Sequence, residues 1–258
     1  MFTKYRISPT LLIVVLSLAI NPVHAQKKYD PGATDTEIKV GNIMPYSGPA
    51  SAYSTIGKAE AAYFQKINDE GGIDGRKIKF VSVDDSYSPP KAVEMTRKLV
   101  EQDEVLFIFS VLGTPSISAT QKYMHAKKVP QLFVASGASK WDDPQHFPWI
   151  MGWQPNNNVE GAIYAKHILQ TKPDAKIGVL YQNDDYGKDY LKGFKDGLGD
   201  KAARMIVSEQ SYEVSDPTVD SQIISLKASG ADVFFNITTS VGSQCNTSTA
   251  FRLRWVRC

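Results

Sequence analysis

The sequence predicts an α/β protein made of two doubly wound lobes, each built on a parallel sheet. Three observations carry this reading. Apolar, strand-like runs alternate with helical segments of ten or more residues, the spacing that right-handed crossovers between parallel strands require. Val105-Leu-Phe-Ile-Phe109 is apolar throughout, as expected of a strand covered on both faces. An irregular stretch from Ala135 to Asn158 then divides the alternation into two series.

In the first series, Ile38 to Ile43 reads as a strand. Thr55 to Glu70 reads as a helix with Ile56, Ala59, Tyr63 and Ile67 on its apolar face, closed by Gly71-Gly72. Lys77 to Val83 alternates as a strand does. Pro89-Pro90 open a helix over Lys91 to Glu101, whose buried stripe is Val93, Thr96, Leu99 and Val100. After the Val105–Phe109 strand come a helix over Pro115–Ala126 and a strand over Gln131–Val134. The second series gives a helix over Val159–Gln170, a strand over Lys176–Tyr181 and a helix over Tyr186–Leu198. It continues with a strand over Ala203–Ser208, a helix capped by Asp216-Pro217 and reaching Ser229, and a strand over Asp232–Asn236.

Composition narrows the function classes. With 258 residues, 42% hydrophobic and 22% charged, the chain is globular and large enough to bury a core. A net charge of +2 gives no basic surplus for nucleic acid. Two cysteines cannot form a disulfide scaffold. At the N-terminus, Lys4 and Arg6 precede the apolar run Leu11–Ile20, and Val23-His24-Ala25 supplies small residues two apart. These are the parts of a secretory signal peptide, and the run is too short to span the ~30 Å hydrocarbon layer. Residues 1–25 are therefore expected to be cleaved, leaving 27 basic and 27 acidic residues on an exported chain, periplasmic in a bacterium.

Catalytic motifs are missing from the sequence. Gly197-Leu-Gly199-Asp-Lys-Ala202 has the letters of a dinucleotide loop, but it ends a helix and precedes a strand, so it reads as a C-cap and turn. There is no P-loop and no nucleophile elbow. His24, His125, His146 and His167 have no metal-ligand spacing, and neither a metal nor a cofactor is expected. The pairs Asp84-Asp85, Asp142-Asp143 and Asp184-Asp185 read as turn formers and helix N-caps. What remains are strand-end loops of small residues and hydroxyls: Pro45–Tyr53, Leu112–Pro115 and Ala135–Ser139. Glycine and serine let a ligand approach backbone N–H groups, a helix N-terminus favours a carboxylate, and Tyr53 offers an apolar face with a polar tip. Donors without a nucleophile–base pair describe binding rather than turnover. Ordinary turn chemistry uses the same residues, and spacing alone does not separate the two readings.

At these residues the chain resembles the type I periplasmic binding proteins of the leucine/isoleucine/valine-binding family. The matching segments are Ile38-Lys-Val-Gly-Asn-Ile-Met-Pro-Tyr-Ser-Gly-Pro49, Ile67-Asn-Asp-Glu-Gly-Gly-Ile-Asp-Gly-Arg-Lys-Ile78, Val83-Asp-Asp-Ser86, Pro130-Gln-Leu-Phe-Val-Ala-Ser-Gly-Ala-Ser139 and Asp184-Asp-Tyr-Gly187. The resemblance implies two Rossmann-like lobes closing on a small-molecule ligand, with no enzyme activity. It also implies delivery of the ligand to an ABC permease in the inner membrane. A ligand-sensing receptor domain of the same fold is the alternative. Carried over residue by residue, the implied site is Tyr53, Gly113, Thr114, Gly137, Ala138, Ser139 and Tyr186. Trp153 stands near the crossover, where it suits an aromatic or acyl carboxylate. Gly113 replaces the family's usual serine, Thr239 stands where amino-acid binders often have a tyrosine, and Tyr87 and Leu112 replace a cysteine pair found in some members.

The expected organisation is a signal peptide over 1–25, an N-terminal ligand-binding lobe over 35–155, a partial second lobe over 156–239 and a tail over 240–258. In that tail the strand–helix pattern stops. Cys245, Cys258, Arg252, Arg254 and Arg257 gather there without an acid, as expected of a frameshifted or mispredicted end. Family members run roughly a hundred residues longer, so the second lobe is expected to be incomplete, with one sheet face uncovered and some of Val233, Phe234 and Phe235 meeting water. On this reading the chain as written neither folds stably nor binds; a functional basic tail or cysteine pair is the alternative reading of residues 240–258.

Overall fold

A computed structural model describes residues 28–239. The readings of residues 1–25 and 240–258 lie outside the described residues. Five strands form the first sheet: β1 (Glu37–Met44), β2 (Lys77–Asp84), β3 (Phe107–Phe109), β4 (Gln131–Val134) and β5 (Ile150–Gly152). All pair in parallel, in the order β2-β1-β3-β4-β5. Helices α1 (Ser54–Asp69), α2 (Pro89–Arg97) and α3 (Thr114–Lys127) make the crossovers. Helix α4 (Asn157–Thr171) leads into β6 (Ile177–Gln182), α5 (Asp185–Leu198), α6 (Ala202–Met205), β7 (Ile206–Tyr212), α7 (Asp220–Ala228) and β8 (Val233–Ile237). Their sheet is also parallel, in the order β7-β6-β8. Each order reverses direction once, beside β1 in the first sheet and at β6 in the second, and ligand crevices form at such points.

The apolar runs account for the cores. Ile43, Ile108, Ile117 and Met124 are sealed beneath the first sheet's helices. Ile177, Val179, Phe194 and Met205 fill one side of the second sheet, and Leu180, Ile223 and Leu226 fill the other. Strand β8 is therefore not left with a bare face. Phe235 stacks on Phe194 at 4.0 Å, Phe234 packs against the Leu180 cluster, and Val233, Phe234 and Phe235 are all partly buried.

The buried face of α1 is turned from the expected one. Tyr63 is 60% exposed and Ala59 is also outside, whereas Gly57, Glu60 and Phe64 meet the sheet. Gly57 allows the close approach, since a Cβ there would lie 2.4 Å from the Tyr46 hydroxyl. Glu60 is held by Asn42 Nδ2 at 3.2 Å. Apolar periodicity gives no weight to a glycine and a glutamate. Strand β3 is covered less evenly than its sequence suggests: Ile108 is sealed, but Phe107 and Phe109 are only partly covered. The strand expected over Ala203–Ser208 begins later, because Ala202–Met205 is a helical turn. β7 then runs to Tyr212 with every second residue in contact with solvent, which hides it from an apolar count. β5 lies inside the stretch read as irregular, as three residues after a loop.

Gly199 ends α5 with φ +57°, a positive value that suits glycine. Helices α4 and α5 lie unusually close. A Cβ on Gly193 would fall 1.9 Å from Asn158 O, and one on Gly161 would fall 2.3 Å from Tyr190 O.

Candidate ligand-binding site

The strand ends of both sheets converge on a cavity of about 450 Å³, within the size range of small-molecule sites. Its walls come from the segments after the strands: Tyr53 after β1, Tyr87 after β2, Leu112–Thr114 after β3, Ala135–Gly137 after β4 and Trp153–Asn157 after β5. The second lobe contributes Glu160, Tyr186 and Tyr190 from α4 and α5, with Thr239 beyond β8. Of the residues singled out in the sequence, Tyr53, Gly113, Thr114, Gly137, Trp153 and Tyr186 line this space.

Ala138 and Ser139 do not line it. Ala138 is 2% exposed and packed in the first lobe's core. Ser139 donates its backbone N–H to Asp189 Oδ2 on α5 at 2.6 Å, so it serves contact between the lobes. Lys140 makes the neighbouring link, with its Nζ 2.8 Å from Asp185 Oδ2 and 3.1 Å from Ser118 Oγ.

The donor at the first-lobe wall is oriented by a chain of hydrogen bonds. Ser136 Oγ accepts from Trp141 Nε1 at 2.9 Å and from the N–H of Ala138 at 3.3 Å. Both of its lone pairs are then engaged, and its single proton is left for Thr114 Oγ1 at 2.6 Å. Thr114 Oγ1 accepts that hydrogen bond, and its own proton is available to an acceptor in the cavity. Thr114 also opens α3, whose N-cap Gly113 has no side chain to cap the first turn. A hydroxyl donor and a helix N-terminus thus stand together, an arrangement suited to a carboxylate.

Loop geometry on this wall is fixed by Asp84. Its carboxylate accepts the N–H groups of Tyr46 (2.9 Å), Ser47 (3.1 Å) and Ser86 (2.9 Å), together with the Lys91 ammonium at 3.0 Å. That network ties the segment leading to Tyr53 to the end of β2. Asp85 is buried and accepts from Ser116 Oγ at 2.6 Å and from the N–H of Tyr87 at 2.9 Å. The paired aspartates here build turns. Asp184 likewise caps α5 through the N–H of Gly187.

The second-lobe wall is held by Gln182, which is 1% exposed. Its Oε1 accepts from Tyr212 and Thr239, each at 3.1 Å, and its Nε2 donates to Asp184 at 2.6 Å. Burial pushes the Tyr212 hydroxyl up to about 12 and raises those of Tyr87 and Tyr186 further, so all three stay neutral donors. Tyr212 also accepts the N–H of Thr239 through its hydroxyl oxygen at 3.1 Å.

Among the described residues, Glu160 carries the one carboxylate in the lining, and no lysine, arginine or histidine joins it there. Tyr190 donates its hydroxyl to Glu160 Oε2, a contact made possible by the close packing of α4 and α5. Burial raises the Glu160 pKa. Sequence reasoning missed Ser136, Asn157, Glu160 and Tyr190. Ser136 lay within a loop already singled out, and Tyr190 falls one helical turn after Tyr186. Nothing local marks Asn157 or Glu160.

Comparison with known proteins agrees with this architecture. The leucine-specific-binding protein of Salmonella typhimurium is 25% identical over 205 residues, which cover 78% of this chain and 52% of that protein. The chain thus spans about half the length of that relative. The fatty acid ABC transporter substrate-binding protein from Thermomonospora curvata superposes with a TM-score of 0.74 at 23% identity, covering 88% of this chain and 57% of that one. A solute-binding protein of an ABC transporter from Rhodopseudomonas palustris BisB5, solved with 3,4-dihydroxybenzoic acid, gives 0.72 at 22% identity, covering 84% and 59%. At these identities the two structures bear on the fold alone. Residues 37–248 match the sequence profile of the periplasmic binding proteins, a match that runs past residue 239 and includes every residue lining the cavity, and the chain belongs to that family.

Proposed function

We propose that this chain carries the ligand-binding cleft of the solute-binding component of an ABC importer. It works in the periplasm, takes up an amino acid or a related carboxylate between its two lobes, and delivers it to a permease in the inner membrane. The observation that carries this reading is the cavity itself. Strand ends of two parallel sheets enclose it, with the Thr114 hydroxyl and the uncapped start of α3 on one wall and aromatic rings around it. Tyr53, Trp153 and Tyr186 provide apolar surface for the body of a ligand. The relatives' names, which include a leucine-binding protein, support an amino-acid or carboxylate solute.

Calorimetry with a panel of amino acids and aromatic or aliphatic carboxylates tests the reading. At least one carboxylate-bearing compound is expected to bind and to raise the melting temperature. Thr114→Ala is expected to weaken that binding by about tenfold or more, the loss of one charge-assisted hydrogen bond. A panel without any binder, or a Thr114→Ala protein of unchanged affinity, would overturn it.

A further inference from the structure

Asn157, in the first turn of α4, holds a donor that the fold itself does not satisfy. The residue is only 3% exposed and lines the cavity, and among the described residues its Nδ2 has no hydrogen-bond partner. The rest of this turn is accounted for. The N–H of Asn157 donates to Gly137 O at 2.8 Å, and Asn156 Oδ1 caps the helix by accepting from the N–H of Asn158. The Asn157 side chain is therefore not the cap. Gly137 leaves room for it, since a Cβ there would lie 2.4 Å from Asn157 Oδ1. A buried amide donor without an acceptor costs stability, so its retention beside a cavity calls for a reason.

Glu160 follows three residues later, on the same face of the helix, and lines the same cavity. Its Oε2 accepts the Tyr190 hydroxyl. Asn157 Nδ2 donates and the Glu160 carboxylate accepts, so a group that meets both must accept one hydrogen bond and donate another. An ammonium has no lone pair for Asn157. A carboxylate has no proton for Glu160 and repels it. A hydroxyl does both from a single oxygen and carries no charge. We propose that Asn157 and Glu160 form a subsite for a hydroxyl group of the solute. The solute is then a hydroxylated carboxylate, with its carboxylate at Thr114 and its hydroxyl at the first turn of α4. This rests on the carboxylate-binding function proposed above and names its substrate class.

The test is calorimetry on the full chain with pairs of acids that differ only in one hydroxyl: 4-hydroxybenzoate against benzoate, 3-(4-hydroxyphenyl)propanoate against 3-phenylpropanoate, and 2-hydroxy-4-methylpentanoate against 4-methylpentanoate. In at least one pair the hydroxylated acid should bind roughly tenfold or more tightly, because its partner leaves the buried donor unsatisfied. In Asn157→Leu that ratio should fall towards one. Glu160→Gln, which keeps a weaker acceptor, should give an intermediate ratio. Should the leucine prevent folding, Asn157→Ala reads the same ratio. A merely structural Asn157 would weaken both members of a pair alike and leave the ratio unmoved. That outcome, or wild-type protein that binds every pair without preference for the hydroxyl, overturns the inference and leaves the binding function standing. Binding of no member of any pair overturns the inference and counts against the carboxylate reading as well.

Discussion

The ring of Tyr87 occupies the space in which a side chain at position 113 would begin: a Cβ on Gly113 would lie 2.3 Å from Tyr87 Cε2. Gly113 also has φ +98°, a conformation that L side chains rarely adopt. Glycine at this position is thus required twice over, by the ring and by the backbone. Tyr87 is buried with Met44, Ala50 and Leu112.

Gly113→Ser is therefore expected to destabilise the fold by about 2–4 kcal/mol, from overpacking and backbone strain together. In a Tyr87→Ala background, itself destabilised by loss of a buried ring, the added cost of Gly113→Ser should shrink to the strain alone. Thermal or urea denaturation of the four proteins of this cycle checks this. A Gly113→Ser protein that melts with the wild type would show that the ring moves aside without cost.

The Thr114 and Ser136 hydroxyls are expected to separate binding from stability. Thr114→Ser keeps the donor and should bind within a few-fold of wild type, where Thr114→Ala loses about tenfold. Ser136→Ala strips the acceptor from Trp141 Nε1 and from the N–H of Ala138, both buried. Its stability should fall by about 1–3 kcal/mol, the penalty for an unsatisfied buried donor. Ser139→Ala keeps the N–H that meets Asp189, so its affinity should change less than about twofold. A large affinity loss in Ser139→Ala would place its hydroxyl at the ligand.

These contrasts show what the sequence makes legible. Alternating strands and helices identify the fold, because burial on both faces of a sheet leaves continuous apolar runs such as Val105–Phe109. Small residues at strand ends mark the first-lobe wall, because backbone must be reachable there. Position on that wall is another matter. Ser136 and Ser139 have the same chemistry three residues apart, and only the turn after β4 decides that Ser136 faces Thr114 while Ser139 faces α5. Glu160 reaches the cavity because Gly161 and Gly193 let two helices touch. That relation joins residues more than thirty positions apart and leaves no local pattern.

Contacts between the lobes should govern release of the ligand. Lys140 to Asp185 and Ser139 to Asp189 both join the first lobe to α5. Lys140 and Asp185 are each partly exposed, so the pair contributes at most about 1 kcal/mol and weakens in salt. Asp185→Asn and Asp189→Asn are expected to speed ligand dissociation by a few-fold each. The effect of Asp185→Asn should shrink at high ionic strength. Stopped-flow displacement at two salt concentrations measures both. Rates identical to wild type would mean that these bonds form no part of the closed state.

Acid should find its first weak point at Asp84. Burial by itself would raise the pKa of this carboxyl, but the hydrogen bonds from Ser47, Ser86 and Lys91 together outweigh it and hold the group well below the ordinary 3.8. In the unfolded chain those partners are gone, and protonation begins near the ordinary value. Below about pH 4 the unfolded state therefore takes up more protons than the folded one at this site, and stability falls as pH falls. The contribution is complete above the unfolded pKa and is lost as pH drops through the folded one. Asp85, Glu60, Glu160 and Asp184 have pKa values raised chiefly by burial, and their contributions run the other way, lost as pH rises. Comparing wild type with Asp84→Asn isolates the one group. At neutral pH the variant should be less stable by about 1.5–3 kcal/mol, since charged hydrogen bonds are replaced by weaker ones to an amide. That gap should narrow steadily between about pH 4 and pH 2, as the wild-type carboxylate is titrated and the asparagine is not. Urea denaturation of both proteins across this range measures the gap. A difference that stays constant down to pH 2 would mean that the Asp84 network does not hold the charged form.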